Sequence, residues 1–427
     1  MKVAVIGAGI VGVTSAYELA RAGHDVTVYE RRSGVAADAS FGTGGLVAVA
    51  GLELRESPRW SLTPDSARWL WARRRSERRS DEAIAALVEL ARASQARLGE
   101  LRQQLQLDYE RSTGVLHLFS NDAALEARAQ AWAHLGIAAR RLEPGQCLSV
   151  EPGLNGLREP AGGLLVTGDE VGNCRQVAHL LRDAAEDLGV DFRFATTVHA
   201  ITPGARPSLR SEQLALTTGF ATSRLAAANG AAEARRVMLQ RAHAAARYLD
   251  PVAEEAFDAI VVCAGTESRR LLQPLGVHLP LQAVHGCALT VPLRSPERGP
   301  RSAVVDPERG VTLSRLGTRL RVSGGHELGS ESSQPRRKTV ELLYRVLDDW
   351  FPGAAHLARP QLWSGARPTM ADGLPRIGAA PRLPGLWFNL GHGDHGWSLA
   401  CGSAQQLTRQ LSGAEPIRAF DPLKEAS

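Results

Sequence analysis

Three glycines near the start of the chain have the spacing of a phosphate cradle. Lys2-Val3-Ala4-Val5-Ile6 reads as a buried strand, Gly7-Ala8-Gly9-Ile10-Val11-Gly12 as a tight turn into a helix, and Val26-Thr27-Val28-Tyr29 as a second strand ending on Glu30. Gly7 permits the turn, Gly9 lets main chain approach a pyrophosphate, and Gly12 lets helix and strand pack closely. The helix N-terminus then presents N–H groups and a partial positive charge to the phosphates. Glu30 can accept hydrogen bonds from a ribose 2′-OH, which favours an adenosine ribose without a 2′-phosphate. The motif by itself leaves NAD and FAD open.

Two further stretches are rich in glycine and chemistry-bearing side chains. Ala36-Ala37-Asp38-Ala39-Ser40-Phe41-Gly42-Thr43-Gly44-Gly45 is a small-residue loop of the kind that lets backbone reach a ligand. Near the other end, Trp363 to Gly378 contains Arg367, and Gly391-His392-Gly393-Asp394-His395-Gly396-Trp397 opens the last helix.

Composition narrows the options. With 427 residues and 44% hydrophobic content the chain holds two or three domains' worth of core in an ordinary globular composition. A net charge of +5 and a pI near 9.2 are modest for this size. The basic residues are almost all arginine and are spread out, apart from Arg73-Arg74-Arg75 with Arg78-Arg79, so they make no case for nucleic acid. Five cysteines (Cys147, Cys174, Cys263, Cys287, Cys401) have neither metal-ligand spacing nor pairing, so no metal is expected. Their odd number and the lack of a signal peptide predict a reducing cytoplasmic setting. No apolar run approaches the ~18 residues that span a bilayer.

The elements that must position these residues follow from periodicity. Residues 81–106 carry Ile84, Leu87, Val88, Ala91, Leu98, Leu101 and Leu105 on one helical face. Val115 to Phe119 reads as a strand. Leu164-Leu165-Val166 leads through Gly168-Asp169-Glu170-Val171-Gly172-Asn173-Cys174 into a helix stopped at Gly189, and Phe192 to Ile201 alternates like one strand. Phe257 to Gly265 reads as a buried parallel strand. Residues 311–325 give two strands about Gly317, 336–350 a helix, and Leu386 to Asn389 a strand before the helix that ends at Gly413. Residues 203–256, Ala- and Arg-rich over 223–249, are too long for a simple connection and predict a helical insertion. The fold class is α/β: a Rossmann-like nucleotide domain from residues 1–50, 150–202, 257–280 and 360–427, with an interleaved α+β substrate domain on a mixed or antiparallel sheet from 51–149 and 281–359.

Four stretches together resemble the D-amino-acid dehydrogenase small-subunit family, within the FAD-dependent D-amino-acid oxidase/glycine oxidase superfamily. They are the Gly-x-Gly-x-x-Gly start, Asp169-Glu170-Val171-Gly172-Asn173, Arg367-Pro368…Asp372-Gly373…Ile377-Gly378, and Gly391-His392-Gly393-x-x-Gly396-Trp397…Ala400-Cys401-Gly402-Ser403. The resemblance implies FAD, bound non-covalently because no cysteine lies in the Trp363–Gly378 block. Implied cofactor contacts are Gly7, Gly9, Ile10, Val11, Gly12, Glu30 and Arg31. They continue through Ser40, Thr43, Gly44 and Gly45 by the pyrophosphate and flavin, Val198, Ala264 and Gly265 near the adenine, and Gly391, Gly393, Gly396 and Trp397 against the isoalloxazine. Arg315 matches the position that pairs a substrate carboxylate in related oxidases, with Arg367 as second candidate and His392 as a third site residue. Asp394 and His395 replace the smaller residues usual in that turn, and His285-Gly286-Cys287-Ala288 replaces a Lys-Gly-Tyr-Ser turn.

The activity implied is oxidative deamination of an amino acid, most often the D-enantiomer, with electrons passed to a quinone or another carrier. Rival readings are an oxygen-using glycine or sarcosine oxidase, the flavin subunit of a heteromeric hydroxyproline or opine dehydrogenase, and a non-catalytic FAD-binding protein. Homo- or hetero-oligomers, and a peripheral contact of Arg73–Arg79 with the inner face of the plasma membrane, are further expectations.

Overall fold

The computed structural model describes residues 1–52, 59–60, 63–76, 81–154, 158–213, 253–328, 336–415 and 418–420. In chain order, β1 (Lys2–Ile6), α1 (Ile10–Arg21) and β2 (Asp25–Tyr29) form the nucleotide unit read from sequence. β3 (Leu46–Val47), β4 (Arg59–Trp60), α2 (Pro64–Arg75), α3 (Asp81–Leu105), β5 (Ser112–Phe119), α4 (Asp122–His134), β6 (Arg140–Leu142) and α5 (Pro144–Val150) follow. Next come β7 (Gly162–Val171), α6 (Cys174–Asp187), β8 (Asp191–Arg193), β9 (Thr196–Thr202), β10 (Ser208–Gln213), β11 (Ala253–Ala256), β12 (Ala259–Val262) and α7 (Ser268–Leu272). The last third comprises β13 (Leu281–Pro292), β14 (Ala303–Asp306), β15 (Val311–Leu316), β16 (Arg319–Leu328), α8 (Arg337–Trp350), β17 (Gln361–Met370), β18 (Arg376–Ala379), β19 (Leu386–Leu390) and α9 (Gly396–Leu411).

Val3, Val5, Ile260, Val261 and Phe388 are fully buried, and near-continuous apolar strands of this kind belong inside a parallel sheet covered on both faces. They do so here. A six-stranded sheet runs β18-β19-β12-β1-β2-β8, parallel except for β18. Its central strands come from residues 2–6, 259–262 and 386–390, so the N-terminal motif is completed by the end of the chain. Helix α9 packs on α1 and α3. The approach is close because Gly402 has no side chain: a Cβ there would lie 2.6 Å from the Leu90 carbonyl oxygen. Arg97 of α3 and Glu18 of α1 pair at 2.6 Å, each side chain only 3% exposed. Arg97 also pairs with Glu100 at 2.7 Å and Glu18 with Arg21 at 3.2 Å, so the buried pair is part of a four-residue network.

The second sheet has the order β17-β13-β16-β15-β14-β5-β7-β3 with β4 and β6 at its margins, mostly antiparallel. Helix α8 covers one face, with Leu343, Val346 and Leu347 packed on Leu289, Leu313 and Val322. Two strands differ from the expected grouping. β7 and β17, from stretches expected to lie wholly with the nucleotide domain, pair with β5 and β13 in this second sheet. Chain that leaves one sheet therefore enters the other directly, and the seam between them is where ligand-facing groups collect.

Phe192 to Ile201 is not one strand. Ala195 adopts φ 52°, which breaks the run into β8, in the six-stranded sheet, and β9, in a separate sheet of order β11-β10-β9. That small sheet also corrects the expected helical insertion at its edges, since 208–213 and 253–256 pair as antiparallel strands. The Ala- and Arg-rich stretch 223–249 lies outside the described residues. Among the described residues no helix is long and apolar enough to cross a membrane.

Candidate active site and cofactor cleft

At the end of β1 the glycines are used as their spacing predicts. Gly7 has φ 104°, and a Cβ there would meet the Cys263 carbonyl oxygen at 2.6 Å. A Cβ on Gly12 would sit 1.9 Å from the Gly7 carbonyl oxygen. Gly9 is different: its nearest neighbour would be Ser40 Oγ at 3.4 Å, so its face is open for a ligand. Helix α1 has no side-chain cap and no acidic residue in its first turn. Its N-terminus is therefore left for an anion, with Ile10 N donating to Ser40 Oγ at 3.0 Å.

Glu30 is fixed by two backbone donors, Ala8 N on Oε2 and Arg32 N on Oε1, both at 2.7 Å. Burial raises its pKa while those amides oppose the rise. Each carboxylate oxygen keeps a lone pair for a ribose hydroxyl. Arg31 is held by Asp38 at 2.9 Å and Glu267 at 3.2 Å, and the Val198 carbonyl accepts from Arg270 Nη2 at 3.1 Å.

The second end of the site forms where the last helix begins. Trp397 Nε1 donates to the Gly45 carbonyl at 3.2 Å, tying the helix start to the small-residue loop. That loop is also fastened from the ten-stranded sheet: Ser314 Oγ donates to the Gly44 carbonyl, and Arg321 Nη1 to the carbonyls of Phe41 and Thr43. Burial and Arg319 lower the Arg321 pKa to about 10, so the loop rests on a charged anchor with little else to neutralise it. His392 is 5% exposed, and its Nε2 has no hydrogen-bond partner among the described residues. Burial, reinforced by His395, pushes its pKa down to about 3, so it is neutral at physiological pH.

Arg367 reaches the same place from β17. Its Nε pairs with Asp394 Oδ1 at 2.9 Å, and its Nη1 donates to the Gly325 carbonyl at 3.2 Å and lies 3.0 Å from His326 Nε2. That His326 nitrogen is also 3.0 Å from Asp394 Oδ2. The guanidinium lies flat against Gly286 of β13, where a Cβ would come within 2.6 Å of Nη2. Asp394 faces the cleft, with 32% of its side chain exposed. Burial would raise its pKa, but Arg367 and His326 outweigh that and hold the carboxyl well below the usual range.

One cavity of about 790 Å³ runs between these ends. Gly7, Gly9, Ile10, Val11, Glu30, Arg31, Ser40, Thr43, Gly44, Val198, Ala264 and Gly265 line it, as do Arg367, Gly391, His392, Gly393, Gly396 and Trp397. Gly12 and Gly45 stand behind the wall as packing glycines. Arg315 is not brought to the cavity, contrary to the sequence expectation. Successive residues of a strand point to opposite faces, and on β15 it is Thr312 that lines the cavity. Arg315 lies on the other face and donates to the carbonyls of Gly317 and Pro296. His326 was missed by sequence reading: nothing near it in the chain marks it, and only the pairing of β16 with β13, and of β13 with β17, brings it beside Arg367. Gly286 was noticed only as part of a changed motif, and its role as the floor under Arg367 follows from that same pairing.

A family model described as DAO, FAD dependent oxidoreductase, matches residues 2–410. The chain belongs to this family. It is 35% identical to a D-amino acid dehydrogenase of Cereibacter sphaeroides over 97% of its own length and 93% of that protein. It is also 35% identical to a D-amino acid dehydrogenase of Rhizobium johnstonii over 97% of each chain. Among solved structures, glycine oxidase from Geobacillus kaustophilus superposes with a TM-score of 0.75, covering 99% of this chain and 98% of that one at 21% identity, a likeness of fold. FAD is the family's cofactor. The uncapped α1 N-terminus, the open face of Gly9 and the two-point anchoring of Glu30 suit its pyrophosphate and adenosine ribose.

Proposed function

We propose that the protein is an FAD-dependent D-amino acid dehydrogenase whose substrate binds between Arg367 and the Gly391–Trp397 turn. The observation that carries this reading is the position of Arg367: a guanidinium whose Nη2 has no partner among the described residues, held over Gly286 in the cavity that the nucleotide-binding glycines also line. A fork of donors suits a planar carboxylate. The relatives at 35% identity named for D-amino acids give the substrate class. When bound, FAD supplies the two-electron acceptor. The chain's own part is to dock the carboxylate on Arg367, to fix the α-carbon against the turn, and to favour the neutral amine in a poorly hydrated site. Neutral His392, with Nε2 unpartnered, offers a hydrogen bond at the cofactor or substrate without adding charge.

FAD is held non-covalently in this reading, since every cysteine is buried and none lies in the Trp363–Gly378 block. Electrons leave to a quinone or another carrier rather than to oxygen. A peripheral membrane contact belongs to α2, where Trp71 is 60% exposed with the Arg75 guanidinium 4.6 Å above its ring. The test is anaerobic bleaching of the flavin by D-amino acids, L-amino acids, glycine, sarcosine and hydroxyproline isomers, followed by turnover with a quinone or dye under air. D-amino acids should bleach it, and turnover should release no peroxide. Bleaching by glycine or sarcosine with stoichiometric peroxide would replace this reading with an oxidase.

A further inference from the structure

His326 Nε2 sits at 3.0 Å from two groups with opposite demands: Arg367 Nη1, which can only donate, and Asp394 Oδ2, which as a carboxylate can only accept. One ring nitrogen cannot satisfy both. Unprotonated, Nε2 accepts from Arg367. Protonated, it donates to Asp394 and releases Nη1. The three side chains come from β17, β16 and the turn before α9, and all face the cavity.

Charge balance says where a proton would come from. Arg367 and Asp394 cancel, so with neutral His326 the trio carries no net charge, and a zwitterionic amino acid adds none. Oxidation at the α-carbon needs a neutral amine, so one proton must leave the ammonium group. If it left for bulk water, the closed site would be left with an uncompensated carboxylate, which is costly in a low-dielectric cavity.

We propose that His326, with Asp394 holding the ammonium group beside it, takes the substrate's ammonium proton, and that this transfer frees Arg367 to grip the substrate carboxylate. The proposal rests on Arg367 being the carboxylate site. The ammonium donates to Asp394, and a second of its N–H bonds breaks with the electron pair staying on the substrate nitrogen. Asp394 stays ionised and orients the ammonium, and the proton is taken up at His326 Nε2, where a new N–H bond forms and points back at Asp394. The Nη1 hydrogen released by Nε2, with Nη2, then serves the substrate carboxylate as a two-pronged donor, while the other Nη1 hydrogen stays on the Gly325 carbonyl. The anionic substrate then sits against a trio of net positive charge, and the total is unchanged. Asp394 touches the ammonium group. His326 stores the proton.

Among the described residues, the titratable groups that line the cavity beside this trio are His392 and His395 from the turn; His285 of β13 pairs with Glu327 on the other face of the sheet. His285 is held neutral by burial. Glu327, next to His326, is engaged instead by Thr339 and Arg336. The local sequence is unusual in the right place: Asp394 and His395 are the two positions at which the turn departs from the smaller residues of the resembled family.

The test uses the holoenzyme and anaerobic stopped-flow reduction by sub-saturating D-methionine from pH 6 to pH 10, for wild type, Asp394→Asn and His326→Gln. Flavin absorbance confirms that each variant is loaded. Both variants should lose about 10²-fold in second-order reduction rate near pH 7. They should regain it by about tenfold per pH unit at higher pH, as solution deprotonates the amine for them. For His326→Gln, whose amide can still accept from Arg367 Nη1, affinity for butyrate, a carboxylate with no amine, read from the flavin spectrum, should change less than threefold, whereas Asp394→Asn, which loses the partner of Arg367 Nε, should weaken it as well. An equal loss at every pH, or no loss, would overturn the proposal while leaving Arg367 as the carboxylate site. A wild-type flavin that no D-amino acid bleaches would overturn both.

Discussion

At the nucleotide end of the cavity, Gly7, Gly9 and Gly12 work through main chain, by leaving space and by baring the amides of α1. At the other end Arg367, His326 and Asp394 work through side chains, each from a separate segment and each fixed by the other two. The first arrangement lies within a single βαβ unit, braced by Cys263 against Gly7. The second exists only because β13 lies between β16 and β17 and because the α9 turn closes on β17 through the Thr369–His392 bridge. The nucleotide end is specified by sterics, which tolerate no added atom. The substrate end is specified by charge, which tolerates added atoms but not a missing partner.

That contrast can be broken at either end. The largest effect is expected from Gly12→Val. A Cβ there would lie 1.9 Å from the Gly7 carbonyl oxygen, and that backbone cannot yield. The purified protein should contain essentially no flavin, measured as flavin absorbance against protein absorbance, and FAD soaking should not restore it. Next comes Arg367→Met. Losing the charged partner of the substrate carboxylate should lower kcat/KM for D-methionine by about 10²–10³-fold, about 3–4 kcal/mol, with FAD content unchanged. Glu30→Gln keeps the shape but loses the charge and one acceptor. FAD affinity should weaken about tenfold by titration of the apoprotein, with the substrate dependence of reduction unaltered once the protein is loaded.

The smallest effect concerns Asp169, buried beneath the chain that follows β3. It accepts from Val49 N, Ala50 N and Gln95 Nε2, and burial lifts its pKa from 3.8 to about 6. Between those values the folded chain holds a proton that the unfolded chain has released. This carboxyl therefore makes stability fall as pH rises from 3.8 towards 6. In Asp169→Asn that component of the pH dependence should vanish, which a series of thermal melts between pH 4 and pH 7 would show.

The same contrast explains what could be read from the chain before its structure. The glycine turn, Glu30, and the helices at 81–105 and 396–411 were legible because each signal is local: a spacing, a periodicity, a stop residue. The closure of the nucleotide sheet by β12 and β19 was legible too, because β12 is an unbroken apolar run and β19 is apolar apart from Asn389. Arg315 misled because its neighbourhood matches a family pattern, while which face of β15 it occupies depends on register, and register placed Thr312 towards the cavity instead. The strand β17 was grouped with the wrong sheet because a run such as Trp363-Ser364-Gly365-Ala366 carries no sign of its partner. Ala195 broke a predicted strand in two without any glycine or proline to announce it. His326 had no local signal at all. Its meaning is its distance from two residues 41 and 68 positions away in the chain.

The account stands on Arg367 being the carboxylate-binding residue of a D-amino-acid-oxidising flavoenzyme and Arg315 being a surface-side arginine. Anaerobic flavin reduction across a D-methionine concentration series, for wild type, Arg315→Met and Arg367→Met, tests this most directly. The account predicts that Arg315→Met stays within twofold of wild type in half-saturation and limiting rate, while Arg367→Met loses saturation altogether and falls by two orders of magnitude or more. The reverse pattern, with Arg315→Met crippled and Arg367→Met intact, would contradict it.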